Sequence, residues 1–213
     1  MRHKKLQVAD SLTGGGVSGV LLREDVPVIT GLTQGCSPVG PWHVVTGGDG
    51  SIVATLDGTP ALEVLKQDIG EILARDLRRI AGYIHVGLSA GKEDDGFMVR
   101  PLWGVDLHHG RVALGVPVAS GEALVFVRRD PSAAQDDLRR TLRVLRQRTG
   151  GLVRGALYFS CVGRVPYLFG SESAELAMIR TELGDIPLTG FYANGEIRHN
   201  RLYGYTGVLT LFL

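Results

Sequence analysis

The stretch that decides the fold of this chain is residues 155–164, which read Gly155-Ala156-Leu157-Tyr158-Phe159-Ser160-Cys161-Val162-Gly163-Arg164. Its apolar and aromatic beginning is typical of a buried strand, and we predict a strand over residues 155–162. The strand passes into glycine and arginine, whose backbone N–H groups and guanidinium can meet a ligand. Because ligands commonly bind where the strands of a mixed sheet end, the stretch predicts a central strand followed by a binding loop.

Three amphipathic helices are predicted around this strand. Each follows a residue whose side chain can accept hydrogen bonds from the first helical turn. They cover residues 60–79, 131–149 and 172–183, after Thr59, Asp130 and Ser171. Gly150-Gly151 ends the second helix, because glycine readily adopts the left-handed conformation of a helix C-terminus.

The remaining apolar runs are short and are joined by glycine-containing turns, which favours antiparallel strands. We predict hairpins between 16–22 and 26–33 and between 43–47 and 51–56. Further strands are predicted at 83–88, 97–107, 112–118, 124–127, 188–193 and 203–213. The expected fold class is therefore α+β (mixed α/β), a layered sandwich of largely antiparallel sheets with about three helices.

Composition limits the classes of partner. Lys and Arg number 23 against 22 Asp and Glu in 213 residues, so no field of one sign favours nucleic acid or an anionic membrane. The cysteines are two, Cys36 and Cys161, which suits a reducing compartment. The basic N-terminus lacks the apolar run of a signal peptide, and no run is long enough for a membrane span. We expect a cytoplasmic protein with no nucleic-acid or membrane partner and, because the sequence holds no metal or nucleotide motif, no cofactor.

Candidate ligand-binding residues lie where glycine and polar groups follow an apolar run. They are Gly35, Cys36, Arg100, Ser160, Cys161, Gly163, Arg164, Asn194, Gly195 and Glu196. We expect the segments 35–40, 160–164 and 190–196 to meet at one edge of the sheets and form a pocket. Simpler interpretations stay open: Arg164 could pair with a surface acid, Arg100 could be a surface charge, and Asn194-Gly195 could be a type I′ turn.

A zwitterion would suit two of these residues. Arg164 offers the fork of donors that binds a carboxylate in bidentate fashion. Glu196 is the acid in its region placed to accept from an ammonium group. We therefore expect a small-molecule ligand such as an amino acid or similar metabolite.

Two other functions remain as alternatives. Cys161 could be the nucleophile of a cysteine-dependent enzyme, with His199 as the nearest histidine downstream in sequence, although no local motif supports the pair. The chain could instead be a protein-interaction scaffold without a ligand. We predict no catalytic residue.

Several ungapped stretches resemble one known family. Besides residues 155–164, they are 168–170 (Leu-Phe-Gly) and 186–197, which begins Ile186-Pro187-Leu188-Thr189-Gly190 and ends Asn194-Gly195-Glu196-Ile197. Residues 33–41 and 56–62 resemble the junction between the two halves of the same family. The family is the FIST domain proteins, named for F-box and intracellular signal transduction.

The resemblance implies an intracellular sensory module for signal transduction, with amino acids or similar metabolites as ligands, a downstream signalling protein as a further partner, and no established catalysis. It assigns residues 1–57 to the truncated end of the N-terminal FIST domain and 58–213 to the C-terminal FIST domain. The N-terminal half of the family is much longer than 57 residues, so we expect an N-terminally truncated copy.

Overall fold

Two β-sheets, each with helix packed on one side, form most of the molecule. The computed structural model describes residues 7–9, 11–14, 19–80, 82–89, 96–171 and 174–213. Within them lie an eight-stranded sheet, a four-stranded sheet and two two-stranded ribbons. The α+β class predicted from the sequence is confirmed.

The helices are α1 (Ala61–Ala74), α2 (Pro131–Thr149) and α3 (Ala174–Leu183), with 3₁₀ turns at Leu77–Ile80 and Val162–Arg164. The strands are β1 (Gln7–Ala9), β2 (Ser11–Thr13), β3 (Val28–Gln34), β4 (Cys36–Pro38), β5 (His43–Asp49), β6 (Ile52–Leu56), β7 (Thr59–Pro60), β8 (Ile84–Ser89), β9 (Phe97–Asp106), β10 (Arg111–Leu114), β11 (Ala123–Arg129), β12 (Gly155–Cys161), β13 (Leu188–Ala193), β14 (Glu196–Arg198), β15 (Arg201–Tyr203) and β16 (Thr206–Phe212).

The larger sheet closes on itself. Seven of its strands run in the order β10-β9-β8-β11-β5-β6-β7, and the eighth, β4, pairs with β11. β10 pairs with β6 as well as with β9. Inside the ring, Leu56, Ile84, Leu114 and Phe126 form a core, and Leu65 of α1 packs into it. Burial of this apolar surface is the main force that holds α1 to the barrel.

The smaller sheet has the order β13-β12-β16-β3. β3 is antiparallel to β16 along its whole length, from Val28 opposite Phe212 to Gln34 opposite Thr206. β12 and β13 are parallel, and α3 makes the crossover that parallel strands require. α2 and α3 cover one face, where Leu142 and Leu145 of α2 pack with residues of β12 and β16.

Most predicted elements are found, and α2 has the predicted bounds. Asp130 is its N-cap, accepting from the N–H of Ala133, and Gly150 ends it in the left-handed conformation. The hairpin of β5 and β6 is also confirmed. Residues 172 and 173, the predicted start of the third helix, lie outside the described residues.

The predicted hairpin between 16–22 and 26–33 is wrong in its first strand. Residues 16–18 lie outside the described part, and residues 19–22 form no strand. Val20 and Leu21 are 84% and 100% exposed. An apolar run alone did not produce a strand here, because strand formation also depends on a paired neighbour.

Two other boundaries differ for local reasons. The first helix ends at Ala74 rather than at residue 79, and Gly70 interrupts it with a φ of 77°. The predicted strand 203–213 is divided into β15 and β16 by Tyr205, whose φ is 59°. Such a conformation is uncommon for a bulky residue, because its Cβ then approaches the backbone.

None of the helices in the described part of the chain has the length and apolarity that crossing a bilayer would require.

A histidine between two carboxylates ties α1 to the barrel. His43 contacts Asp57 through Nδ1 at 2.6 Å and Asp68 of α1 through Nε2 at 3.0 Å. Burial of the ring opposes its protonation, but the two carboxylates outweigh burial and raise the pKa of His43. The folded protein thus binds a proton at His43 more tightly than the unfolded chain does.

We predict a pH-dependent contribution of His43 to stability. A raised folded-state pKa means that the contribution is complete below the ordinary imidazole pKa of about 6.5 and is lost as pH rises through the folded-state value. The difference in free energy of unfolding between wild type and His43→Gln, from urea titrations, should therefore be larger at pH 5.5 than at pH 9.

The matched control is His109→Gln. His109 also contacts an aspartate, Asp106 at 2.7 Å, but both side chains are about half exposed. Water screens such a pair, so His109→Gln should cost little free energy of unfolding at either pH. If His43→Gln lost as much free energy of unfolding at pH 9 as at pH 5.5, or more, the raised pKa of His43 would be contradicted.

Candidate functional site

The alternation of side chains along β12 brings two hydroxyls to one place. Tyr158 and Ser160 are two residues apart, so they lie on the same face of the strand. That face is the one that α3 covers, and both hydroxyls donate to the carboxylate of Glu175 in its first turn. The distances are 2.6 Å from Tyr158 Oη to Glu175 Oε1 and 2.8 Å from Ser160 Oγ to Oε2.

Arg164 completes this cluster from the 3₁₀ turn that follows β12. Its Nε donates to Glu175 Oε1 at 2.8 Å, and the two side chains are 0% and 1% exposed. Burial opposes a charge, but interactions with Tyr158 and Glu175 raise the pKa of Arg164, so the guanidinium stays protonated. An unpaired charge at this depth would cost several kcal/mol, which the ion pair and its hydrogen bonds offset.

The same guanidinium reaches two other strands. Nη1 of Arg164 donates to the carbonyl oxygen of Tyr205 at 3.1 Å and to that of Thr33 at 3.4 Å. The guanidinium carbon also lies 4.7 Å from the centre of the Phe169 ring. One side chain therefore links α3, the end of β12, the end of β3 and the start of β16.

A cavity of about 550 Å³ lies between α3 and β13, and we call it the α3–β13 cavity. Tyr158, Ser160 and Glu175 belong to its lining, which therefore reaches the buried cluster. The rest of the lining is contributed by α3 and β13, namely Leu176, Ala177, Arg180, Leu188, Thr189, Gly190, Phe191 and Tyr192. Its volume lies within the range of small-molecule sites, about 300–1,000 Å³.

The polar groups of the α3–β13 cavity differ in what they offer. Tyr158 and Ser160 use their hydrogens on Glu175, so their oxygen lone pairs can accept from a ligand. Burial raises the pKa of Tyr158, which keeps it a neutral phenol. Arg180 adds an exposed guanidinium to the wall. Apolar and aromatic side chains supply the remaining surface, so the cavity can hold a molecule with an anion, a donor group and an apolar part.

A strained tyrosine joins the cluster to the barrel. Tyr205, with its positive φ, places its ring 4.7 Å from that of His85 and 5.3 Å from the guanidinium carbon of Arg129. Arg129 also lies 4.3 Å from the ring of Tyr167. Burial and the charge of Arg129 lower the pKa of His85 to about 4, so this ring is neutral at physiological pH. Conformations such as that of Tyr205 persist only where surrounding contacts hold them.

Several predicted site residues meet around Arg164. A Cβ on Gly35 would lie 3.5 Å from Arg164 Nη1 and 2.5 Å from Leu168, so glycine is needed for this close approach. Gly163 is similar, since a Cβ there would lie 2.7 Å from the ring of Tyr205. The predicted alternative that Arg164 pairs with a surface acid is wrong, because Glu175 is buried.

Glu196 is buried too, at 3% exposure, and its Oε2 accepts from Thr206 at 2.6 Å. Burial raises the pKa of Glu196, while Thr206 and the charge of Arg164 oppose the shift. The other two members of its segment, Asn194 and Gly195, stand before β14. The type I′ turn interpretation of Asn194-Gly195 is wrong, because that turn needs a positive φ at both residues and of the two only Gly195 has one.

The remaining candidates lie apart from the α3–β13 cavity. Arg100 of β9 donates to the carbonyl oxygens of Val99 and Leu202. Cys36 and Cys161 are buried free thiols. Burial raises the pKa of Cys36 to about 12, so it is protonated. Of the predicted residues, Ser160 lines the cavity, and a direct contact of the others with a ligand stays a prediction.

Sequence reasoning missed Glu175 and Arg180. Glu175 looks like an ordinary acid in a first helical turn, where it favours the helix dipole. One signal could have found it: an arginine at the end of a core strand needs a buried acid, and the crossover helix is the nearest element that can supply one. Across the described ranges, no group of three or more His, Cys, Asp or Glu side chains has the arrangement of a metal site.

Two models of known protein families match the sequence of this chain. A model of the FIST C domain matches residues 61–199, more than half of the chain, and a model of the FIST N domain matches residues 1–59. This chain belongs to the FIST family. FIST domains are generally sensory domains of signal transduction and are not typically catalytic.

Similar proteins are known in mycobacteria. The uncharacterized protein Mb0898c of Mycobacterium bovis is 37% identical over 217 residues, and MT0897 of Mycobacterium tuberculosis gives the same values. Rv0628c of Mycobacterium tuberculosis is 35% identical over 215 residues. Each alignment covers 96% of this chain and 55% of the relative, so the chain spans about half the length of these relatives. No solved structure matches the chain significantly.

The two matched FIST ranges are joined in the fold. β4, in the FIST N range, hydrogen-bonds to β11 in the FIST C range. β3, also in the FIST N range, hydrogen-bonds to β16, which follows the matched FIST C range. Arg164 adds its contact with Thr33 of β3. The boundary predicted between residues 57 and 58 falls in the turn between β6 and β7, and it stays a prediction.

We predict that Glu175→Gln lowers the free energy of unfolding by about 3–5 kcal/mol, because it leaves the charge of Arg164 buried and uncompensated. Arg143→Gln is the matched control, since Arg143 faces Glu182 at 3.8 Å and is 67% exposed. That variant should cost about 1 kcal/mol or less. Urea denaturation measures the free energy of unfolding of both variants. Equal losses would show that the buried Arg164–Glu175 pair contributes no more to stability than the exposed pair.

Proposed function

We propose that this FIST chain is a sensory module that binds a small zwitterionic metabolite, such as an amino acid, in the α3–β13 cavity. The observation that carries the proposal is a cavity of ligand size whose lining includes a buried, fully paired carboxylate. Buried polar groups that line a cavity give a ligand orientation, and the apolar walls give it affinity.

Three features of the cavity suit the three parts of an amino acid. Arg180 can bind the carboxylate through paired N–H groups. Ser160 and Tyr158 can accept from the ammonium group, and the negative charge of Glu175 behind them favours that orientation. Leu176 and Leu188 are apolar surfaces for the side chain of the ligand.

Arg164 and Glu196 do not line the α3–β13 cavity. Both side chains are buried, so a direct contact with a ligand would require the cluster to open. Arg164 instead holds Glu175, which in turn orients the hydroxyls of Tyr158 and Ser160. It is a positioning residue for the cavity.

The side chain of Arg164 would transmit the effect of ligand binding from α3 to the strands that it contacts. A ligand between α3 and β13 favours one position of α3, and Arg164 connects α3 to β3 and β16. A ligand can shift an equilibrium between two conformations only by its difference in affinity for them. A downstream signalling protein would read the favoured conformation. The free thiols Cys36 and Cys161 suit the reducing cytoplasm in which we place this module.

The geometry around Cys161 gives little support to the alternative that this chain is a cysteine-dependent enzyme. Cys161 is 6% exposed, which leaves little room for attack on a substrate. His199 is exposed in the turn between β14 and β15. A cysteine nucleophile needs a base within hydrogen-bond reach and access for a substrate.

Ligand binding is tested by thermal-shift screening of the amino acids, followed by calorimetry on those that stabilise the protein. For a ligand found in this way, Arg180→Gln and Ser160→Ala should each weaken binding roughly 10- to 150-fold, the range for loss of a charge-assisted hydrogen bond of about 1.5–3 kcal/mol. Arg146→Gln is the control, because Arg146 is exposed on α2 and does not line the α3–β13 cavity. If Arg180→Gln and Ser160→Ala bound the ligand as tightly as wild type does, the α3–β13 cavity would not be the binding site.

Cys161→Ser separates the sensor from the enzyme. Because the Cys161 side chain does not line the α3–β13 cavity, we expect ligand affinity to stay unchanged in this variant. Calorimetry and a product assay by mass spectrometry on the same ligand are the measurements. Turnover in wild type that disappears in Cys161→Ser would overturn the sensory assignment.

A further inference from the structure

The outward face of α2 is strongly basic. Residues 138–154, which include the C-terminal half of α2 and its connection to β12, contain six arginines and no acidic residue. The arginines, all exposed, are Arg139, Arg140, Arg143, Arg146, Arg148 and Arg154. Because the formal net charge of the whole chain is only +1, the rest of the chain is negative and this region carries the excess of positive charge. We call the exposed side chains of residues 139–154 the α2 surface.

Three of these arginines already face an acid. The pairs are Arg139 with Asp136, Arg140 with Asp137, and Arg143 with Glu182. In the part of the chain that the structure describes, the side chains of Arg146, Arg148 and Arg154 have no ion pair. Each guanidinium has five N–H donors, so these three can bind new carboxylates without breaking an existing pair.

Helix stability accounts for only part of the α2 surface. Arg146 and Arg148 lie in the last turn of α2, where a positive charge favours the negative end of the helix dipole. Arg154 lies beyond the helix, so it gains nothing from that dipole. Val144 and Leu152 are apolar and yet 43% and 79% exposed. Apolar side chains surrounded by polar groups are typical of a surface that binds another protein.

The composition of the α2 surface favours a protein partner over a nucleic acid or a lipid. Every basic residue in it is an arginine, and protein interfaces are enriched in arginine and depleted in lysine. It contains no aromatic side chain on which a base could stack. A second copy of this chain would bring the same positive charges, so two α2 surfaces would repel each other. An acidic segment of a different protein complements the charge.

α2 also lies directly on the strand that Arg164 contacts. A Cβ on Gly31 of β3 would lie only 2.8 Å from Leu145 of α2, so the helix and the strand are packed as closely as glycine allows. Two residues further along β3, the carbonyl oxygen of Thr33 accepts from Arg164. A partner on the outward face of α2 is therefore separated from β3 by one helix.

We infer that the α2 surface binds an acidic segment of another protein, whose carboxylates pair with Arg146, Arg148 and Arg154 and whose apolar side chain packs on Leu152. The surface does not depend on the proposed ligand site, because none of these residues lines the α3–β13 cavity. Water screens each exposed pair, so the affinity comes from several pairs together and falls as salt is added.

The experiment is a titration of the full chain followed by fluorescence anisotropy, with labelled peptides of equal length as probes. The first peptide combines Glu and Asp with leucine, the second has serine in place of leucine, and the third has Gln and Asn in place of the acids. We expect the affinity to fall from the first peptide to the second and from the second to the third. Absence of binding by the first peptide, or equal binding of the first and second, would overturn the inference.

Variants locate the surface. Arg146→Gln and Arg148→Gln should each weaken binding of the first peptide about two- to fivefold, the range expected for an exposed ion pair. Arg111→Gln is the matched control, because Arg111 is exposed on β10 of the barrel and its replacement changes the net charge equally. Its affinity should equal that of wild type. An equal loss in Arg111→Gln would show that net charge alone drives binding, which would overturn the inference.

Leu152→Ser tests the apolar contact. It should lower the affinity for the first peptide to that for the second, and leave the affinity for the second unchanged. All the replaced side chains are exposed, so the variants should fold normally, and circular dichroism checks this.

A labelled DNA duplex and vesicles that contain phosphatidylserine test the other classes of partner. Both should bind more weakly than the first peptide at the same ionic strength. If either bound as tightly as that peptide and lost affinity in Arg146→Gln and Arg148→Gln, the α2 surface would recognise phosphate groups, and the inference of a protein partner would be overturned.

Discussion

A guanidinium with no exposed surface organises this molecule. Arg164 pairs with Glu175 across the space between β12 and α3, and its Nη1 donates to the carbonyl oxygens of Thr33 and Tyr205. Removing such a charge from water is costly, and the cost is met only while all of these partners stay in position. The pair is therefore a constraint that places four chain segments relative to one another.

The shape of the α3–β13 cavity follows from this constraint. Because Glu175 is held by Arg164, the first turn of α3 cannot move away from β12 without exposing or unpairing a buried charge. The hydroxyls of Tyr158 and Ser160 are oriented by the same carboxylate, which turns their acceptor sides outward. If the proposed ligand site is occupied, the contacts of this ion pair with Thr33 of β3 and with Tyr205 just before β16 would connect its occupancy to those strands.

Local signals in the sequence predicted the individual helices and strands better than they predicted how these pair and pack together. The bounds of α2 followed from Asp130 and Gly150, because caps act within a few residues. The glycines at 35 and 163 marked close approaches correctly, since the absence of a side chain is visible in sequence. The strand expected at 16–22 is not found in its described part, residues 19–22, because pairing depends on partners that the run itself does not specify.

The partner of Arg164 could not be read from spacing. Glu175 and Glu196 are both acids on the C-terminal side of Arg164, and the choice between them depends on the crossover that places α3 over β12. Contacts between segments distant in sequence decide which of several equivalent side chains lies in a site.

Hydrogen exchange by mass spectrometry on wild type and Glu175→Gln tests the central claim most directly, because it reports the stability of each segment separately. If the Arg164–Glu175 pair links the segments, the variant should lose amide protection together in α3, at the end of β12, in β3 and in β16. The core of the barrel around Ile84 and Phe126 should keep its protection. Loss of protection confined to α3, with β3 and β16 unchanged, would contradict the account.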